Sequence, residues 1–452
     1  MSVPSAPNRA RSPRPVRRRL AGAAVLALSA TALAACASGG EPASGSRAIT
    51  WYVNPDNGGQ AELASKCTAQ SGGRYTIATA GLPNDASDQR EQLLRRLAAK
   101  DDSIDLMSLD PPFTAEFAEA GFLRTFPMES PEAQEFTAGV LQGAVESAQY
   151  EGRLAAAPFW ANTQLLWYRK SVAQQAGLDP AARPVTWQQL IDAASQQGKR
   201  VDVQARRYEG YSVWINALVN SAGGSILAPG SQGKAADEVE AAIQSPEGRE
   251  AATVIRSLAT SKAANPTMST AGEEVARASF QSDAGGFMVN WPYIWTAVDE
   301  AVESGTLPAN FKDDMGWTRY PRVNASDPSA PPFGGINLAI SAYSDVDPAV
   351  LTEAARCLTS DASSKEYFLK SGNPSNTATV YDDPEVREAW PMADVIRESI
   401  TDAAPRPVTP YYGDVSSALQ QSFHPPVGVD PQVTPGRAEV RIEGVLDNKQ
   451  LL

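Results

Sequence analysis

Acidic and amide side chains follow two strand-like runs in the first quarter of the chain. Asp56 and Asn57 come just after a β-branched and aromatic run that ends at Asn54, and Asp110 follows a second apolar run. Ligands of a mostly parallel sheet collect at the carboxyl ends of its strands. Carboxylates and amides there would hold a polar ligand through hydrogen bonds.

Each of these candidates has an alternative role. Asp110 would also serve as the N-cap of a helix that starts near Thr114. Asp56 and Asn57 lie in the sequence Asn-Pro-Asp-Asn-Gly-Gly, which forms a turn with or without a ligand. The residue types leave both roles open.

Other kinds of chemistry have too few parts in this sequence. The 452 residues include one histidine, His424, and three cysteines, so most metal sites and histidine-dependent catalysts are disfavoured. No metal site, cofactor or catalytic residue is predicted. The segment 230–234 lacks the spacing and the Ser/Thr of a phosphate-binding loop, so ATP hydrolysis would belong to another subunit.

The charge is unevenly distributed along the chain. The first 35 residues contain six arginines and no acid, and the remainder has 33 basic against 52 acidic residues, a net charge of −19. An acidic body repels phosphate backbones, so nucleic acid is not expected as a partner.

The amino terminus has the features of an export signal. A basic region is followed by an apolar stretch, 20–35, which is shorter than the ~20 residues of a spanning helix. Leu33-Ala34-Ala35-Cys36 resembles a bacterial lipobox, which predicts cleavage after residue 35 and a lipid anchor on Cys36. Residues 36–47 would form a flexible tether. The alternative is a plain signal peptide with an incidental cysteine.

With Cys36 lipidated, Cys67 and Cys357 remain. Outside the cytoplasm such a pair is most simply a disulfide, and the alternative is two unrelated buried thiols.

The elements that must position these groups alternate between strand and helix. Runs at 48–54, 75–82 and 104–109 are strand-like, and helical patterns lie between them, one of them opening at Asp88. This order predicts an α/β fold with a mostly parallel sheet. Later patterns predict single helices over 348–370 and 384–402 and a weakly specified tail after His424.

The order of segments resembles the solute-binding proteins of bacterial ABC sugar importers, of the maltose-binding type. Local runs are similar to the trehalose-binding lipoproteins of mycobacteria, and the likeness covers nearly the whole mature chain. These runs are Thr114–Gly121, Asn162–Arg169, Ser221–Ser225, Val289–Pro292 and Gly334–Ala339.

The resemblance implies a two-lobed, type II periplasmic-binding-protein-like fold with a hinge of three chain crossings. One lobe would contain 48–160 and 333–373, and the other 161–332 and 374–452. Crossings are expected near 159–162, 333–336 and 372–375. Cys67 and Cys357 then lie in the same lobe, and cysteines of the similar lipoproteins occupy the same places.

The resemblance also implies a function and a site. The protein would capture a disaccharide, trehalose first, without catalysis, and deliver it to permease subunits served by a separate ATPase. It would act as a monomeric body, lipid-anchored on the outer face of the cell membrane. The expected ligand-binding residues are Asp56, Asn57, Gln89, Asp110, Asn162, Tyr208, Glu209, Glu274, Trp291, Tyr293, Gly334, Gly335 and Arg406.

These residue types suit a sugar, because acids and amides bind hydroxyls and an aromatic plane stacks on a ring face. Trp291 follows a strand and precedes a proline, and a place in the core is its alternative. Glu274 would also fit a charged first helical turn, and Arg406 a surface salt bridge. Four other tryptophans are expected in the core: Trp160, Trp167, Trp214 and Trp295.

The sequence is also compatible with three rival functions. A glycosidase would need two carboxylates, for which Asp110 and Glu274 can formally be proposed. A surface scaffold or sensor would bind no sugar. A binder of maltose or another sugar would share the fold and differ in its ligand.

Overall fold

The computed structural model describes residues 47–231 and 235–447. The predicted signal segment, the lipidation site Cys36 and nearly all of the tether lie outside these ranges. Within the described residues, no helix has both the length and the apolar character that crossing a bilayer requires.

Strands and helices alternate along the chain. The strands are β1 (Arg47–Val53), β2 (Tyr75–Gly81), β3 (Leu106–Leu109), β4 (Phe126–Pro127), β5 (Gln149–Tyr150), β6 (Arg153–Leu154), β7 (Ala157–Thr163), β8 (Leu165–Arg169), β9 (Arg200–Asp202), β10 (Gly285–Asn290), β11 (Met315–Thr318) and β12 (Phe333–Ile340).

The α-helices are numbered in the same way. They are α1 (Gly59–Gln70), α2 (Ala86–Ala98), α3 (Thr114–Glu119), α4 (Pro131–Thr137), α5 (Gln142–Ser147), α6 (Lys170–Gln175), α7 (Trp187–Gln197), α8 (Glu209–Ser221), α9 (Pro246–Thr260), α10 (Glu273–Gln281), α11 (Ile294–Glu303), α12 (Pro348–Leu358), α13 (Asp361–Ser371), α14 (Pro384–Ala389), α15 (Ala393–Thr401), α16 (Tyr412–Phe423) and α17 (Thr434–Leu446).

Two main sheets organise the α/β fold, which confirms the predicted fold class. The first has the order β2-β1-β3-β12-β7, and the second β11-β8-β10-β9. In the first sheet β1 is parallel to β2 and β3, whereas β12 is antiparallel to β3 and β7. In the second, β8 is antiparallel to both neighbours. The expectation of parallel strands therefore holds for β1–β3 in the first sheet and for the pair β9–β10 in the second.

The chain passes directly between the two sheets. β7 ends at Thr163 in the first sheet, and β8 begins at Leu165 in the second, with only Gln164 between them. The chain returns at β12, where Phe333 pairs with Thr163. Side chains on these paired strands therefore lie where the two sheets meet.

Separate apolar cores cover the sheets. Two clusters pack on the first sheet, and a large one packs α7, α8, α9, α16 and α17 against the second. Trp167 and Trp214 are fully buried, as expected, whereas Trp160 and Trp295 are only partly buried. A fourth cluster joins β8, β10 and α11 to α14 and α15.

Three predicted element boundaries are wrong. Helix α2 is capped by Asp85, whose carboxylate accepts a hydrogen bond from the Ser87 amide, and not by Asp88. The helix predicted over 348–370 is two helices. The second begins after Ser360, whose side chain caps it by accepting a hydrogen bond from the Ser363 amide. The helix predicted over 384–402 is interrupted at Trp390-Pro391.

The tail after His424 is also better ordered than its sequence indicates. Residues 434–446 form α17, which packs along α16 and buries Ile442 and Leu446. Its apolar face acquires a partner only through the tertiary fold, so local sequence alone did not reveal it.

Cys67 on α1 and Cys357 on α12 form a disulfide with their Cα atoms 5.8 Å apart. The pairing predicted for these cysteines is confirmed. It joins segments separated by 290 residues on one side of the first sheet.

Candidate functional site

A cavity of about 660 Å³ lies where the two sheets meet, and both sheets contribute to its walls. This volume falls in the usual range of roughly 300–1,000 Å³ for small-molecule sites. Ten of the thirteen predicted ligand residues line it. The ten are Gln89, Asp110, Asn162, Tyr208, Glu209, Trp291, Tyr293, Gly334, Gly335 and Arg406, and the strand-end residue Asn54 lines the cavity as well.

An ion cluster of three of these residues forms one end of the cavity. Arg406 donates from Nη2 to Asp110 Oδ1 at 2.6 Å and from Nη1 to Asp110 Oδ2 at 3.0 Å. The same Nη1 donates to Glu209 Oε1 at 2.7 Å. Asp110 follows β3 in the first sheet, whereas Glu209 begins α8 beside the second. Arg406 therefore connects the two halves of the cavity.

The cluster is deeply buried and has further partners. Tyr412 and Ser416 on α16 donate their hydroxyls to the Glu209 carboxylate. Burial raises the pKa of Glu209 above its ordinary value, although the Arg406 guanidinium opposes this. Burial by itself would lower the pKa of Arg406, but the neighbouring Asp110 and Glu209 carboxylates outweigh it and raise that pKa well above its usual value. The guanidinium therefore remains charged.

The Asp110 carboxylate caps no helix. The 3-10 turn that follows, Pro111–Phe113, has no side-chain cap bond, and both carboxylate oxygens accept from Arg406. The N-cap alternative for Asp110 is thus wrong. The surface salt-bridge alternative for Arg406 is also wrong, because only 5% of this residue is exposed.

Trp291 lies over the start of β12. A Cβ added at Gly334 would approach the Trp291 ring to 2.9 Å, so only glycine lets the indole lie this close to the strand. Asn162 lies opposite Gly334 in the β7–β12 register, and its Oδ1 accepts a hydrogen bond from the Thr163 amide. An aromatic plane and an amide thus adjoin on the cavity wall.

Gly335 permits a close approach of β7 and β12. Its φ of 127° is a conformation that L side chains rarely adopt, and a Cβ there would lie 2.2 Å from the Trp160 carbonyl oxygen. Trp160, expected in the core, lines the cavity beside it.

The opposite wall is built around Tyr208. The Arg206 guanidinium lies 4.3 Å from the centre of its ring, and Arg206 also pairs with Asp85 at 3.2 Å. Burial and the neighbouring Glu273 carboxylate raise the pKa of the Tyr208 phenol well above its usual value. Since Asp85 caps α2 and Arg206 precedes α8, this ion pair crosses the cavity.

Gln89 and Tyr293 line the cavity while bonding elsewhere. Gln89 is buried and donates from Nε2 to the Pro83 carbonyl at 2.8 Å. The Tyr293 hydroxyl donates to Glu274 Oε1 at 2.7 Å.

Three predicted ligand residues do not line the cavity. Asp56 accepts the amides of Gly58 and Gln60 and so forms the turn before α1. Asn57 donates to the Lys370 carbonyl. Glu274 pairs with Arg277 on the outer face of α10.

The structure adds lining residues that sequence reasoning missed. Glu273 takes the place predicted for its neighbour Glu274, because the exact start of α10 decides which of the two faces inward. Asp85 carried a recognisable cap signal before α2, whereas Arg206 carried none. The missed polar and aromatic residues are Asn84, Asp85, Asp88, Trp160, Arg206, Glu273 and Asn373.

Comparisons with known proteins agree with this architecture. The family described as bacterial extracellular solute-binding protein matches residues 81–364, more than half of the chain. A probable ABC transporter-binding protein of Deinococcus radiodurans is 28% identical over 319 residues, covering 67% of this chain and 70% of the relative. Maltose-bound MalE3 of T. maritima has a TM-score of 0.75 and 26% identity, covering 90% of this chain and 100% of that chain.

A shorter match concerns a different named ligand. The sn-glycerol-3-phosphate-binding periplasmic protein UgpB of Escherichia coli K12 is 38% identical over 64 residues, which is 14% of each chain.

Proposed function

Because the chain belongs to the family of bacterial extracellular solute-binding proteins, we propose that its cavity captures a neutral disaccharide, trehalose first, for an ABC importer. Permease subunits would receive the sugar, and a separate ATPase would drive its import. The cavity between the sheets, with Trp291 and the Arg406 cluster on its walls, is the observation that carries this proposal.

The wall chemistry supports a sugar as the ligand. Carboxylates and amides accept and donate the hydrogen bonds that hydroxyl groups need, and the Trp291 plane offers a surface for the C–H face of a ring. Groups from both sheets would contact one ligand, so closure would be favoured by the ligand's higher affinity for the closed state.

Calorimetric titration of the purified protein tests the proposal. Trehalose should bind at one site, and maltose and sn-glycerol 3-phosphate should bind more weakly. Tighter binding of maltose would reassign the sugar, and tighter binding of the glycerol phosphate would reject the disaccharide proposal.

Two tryptophan variants connect binding to the cavity. Trp291→Ala should abolish measurable binding, whereas Trp295→Ala is the matched control, because Trp295 packs on Trp317 and does not line the cavity. Equal affinities in the two variants would contradict the proposed site.

Capture without catalysis is part of the same proposal. Glu274, the second carboxylate formally available to a glycosidase, is held by Arg277 and Tyr293 and does not line the cavity. Trehalose incubated with the protein should therefore be recovered intact, and sustained release of glucose would reveal an enzyme.

The proposal includes a lipid anchor at Cys36, outside the cytoplasm. Mass spectrometry of the mature protein should find an acylated Cys36 at its amino terminus. Cys36→Ala should release the protein from the membrane fraction, and retention there would reject the anchor.

A further inference from the structure

The charges on the cavity walls are strongly unbalanced. Five carboxylates and two guanidinium groups belong to the described residues that line it, a formal charge of −3, and no lysine is among them. The five carboxylates belong to Asp85, Asp88, Asp110, Glu209 and Glu273.

Both guanidinium groups are already engaged. Arg406 is shared between Asp110 and Glu209, and Arg206 pairs with Asp85. Within the described residues, Asp88 forms no ion pair, and the Arg206 guanidinium near Glu273 is already paired with Asp85. An anionic ligand would therefore meet no free cation on these walls.

Three helices begin at the cavity, and each carries its own acid. Asp85 caps α2, and Glu209 and Glu273 are the first residues of α8 and α10. Helix N-termini ordinarily favour anions, because their free amides and dipoles point at the ligand. Here carboxylates of the protein itself lie at the helix N-termini, where an anionic ligand would otherwise be stabilised.

We propose that the cavity selects neutral solutes by repelling anionic ones, so that sugars carrying carboxylate or phosphate groups are rejected. This selection rests on the proposed function, since it describes which sugars the same cavity accepts. Asp88 contributes to it most directly because no arginine or lysine forms an ion pair with it among the described residues.

A pair of trehalose derivatives tests this proposal. In one, a C6 hydroxymethyl group is replaced by a carboxylate, and in the other by a carboxamide of nearly the same shape. The carboxylate should bind roughly 100-fold more weakly in about 0.02 M salt, because a unit charge meets a repulsive field in a partly desolvated cleft. The difference should shrink in about 0.5 M salt.

Variants of α2 locate the effect. Asp88→Asn should reduce the difference between the two derivatives several-fold, whereas Glu91→Gln, an exposed change on the same helix outside the cavity, should leave it unchanged. This pair removes the same formal charge from different places.

The outcomes separate this inference from the proposed function. Failure to bind trehalose would overturn both. Trehalose binding with equal affinity for the two derivatives, or loss of both derivatives, would overturn charge selection alone. If Asp88→Asn and Glu91→Gln changed the affinity difference between the two derivatives equally, charge selection by the cavity would also be overturned. The effect would then reflect the net charge of the whole protein.

Discussion

Arg406 shows how a single side chain can set both the stability and the shape of the cavity. Its guanidinium bonds to Asp110 from one sheet's edge and to Glu209 from the start of α8. A buried ion pair contributes little over an apolar replacement, but removing one partner leaves an uncompensated charge. The cluster is therefore vulnerable to single substitutions.

Arg406→Ala should lower the free energy of unfolding by roughly 3–5 kcal/mol, because Asp110 and Glu209 would lose their shared cation. Urea denaturation measures the loss. Arg95→Ala, which removes an exposed pair with Glu91, is the control and should cost under about 0.5 kcal/mol. Similar midpoints for the two variants would contradict the role given to the cluster.

Asp202 should make stability depend on pH. It is fully buried, and desolvation raises its pKa to about 6 although Asn265 donates to it. The folded state binds this proton more tightly than the unfolded state. Its stabilising contribution is therefore present below about pH 4 and is lost as the pH rises through about 6.

Asp202→Asn should remove this dependence. The free energy of unfolding should then vary by up to about 3 kcal/mol less between about pH 4 and 7 than in the native protein. Thermal or urea unfolding across that range measures it. Asp192→Asn changes an exposed carboxylate on α7 and should leave the profile unchanged. An unaltered profile in Asp202→Asn would show that another group governs the dependence.

Residue types and strand ends, together with the resemblance to sugar-binding proteins, predicted Asp110, Trp291 and Arg406 as cavity residues. They did not reveal that Arg406 neutralises Asp110, because the two residues are 296 positions apart and meet only in the folded chain. The sequence also predicted Glu274 as a lining residue, whereas Glu273 lines the cavity. A shift of one residue in where the helix begins decides which of the two carboxylates faces inward.

At the scale of elements, the pairing of β7 with β12 brings the two sheets together. Gly335→Ala should disrupt it, because the new Cβ would meet the Trp160 carbonyl and φ is positive. We expect a loss of about 1–3 kcal/mol on urea unfolding. Gly81→Ala, with open space at the end of β2, is the control, and equal stability of the two variants would contradict this role.

Most elements could be predicted because strand and helix periodicity is local. The breaks at Ser360 and Trp390 and the helix α17 could not, since capping geometry and the burial of α17 against α16 depend on the surrounding fold. Short strands such as β9 carry too few residues for a periodic signal.

At the scale of the whole molecule, the disulfide and the cavity are separate features. Cys67 and Cys357 join α1 to α12, and neither cysteine lines the cavity. Replacing both by alanine should lower stability by about 2–5 kcal/mol, because the unfolded chain loses its cross-link and gains conformational entropy. Sugar affinity should remain within a few-fold of the native value under conditions where the variant is folded, and its loss there would contradict this separation.

A crystal structure of the protein grown with trehalose tests most directly whether the cavity between the sheets is the sugar site. We expect one sugar in the cavity between the two sheets, with a ring against Trp291 and hydroxyls within hydrogen-bonding distance of the Asp110 cluster. An empty cavity with trehalose bound elsewhere, or no bound sugar at saturating concentration, would contradict it.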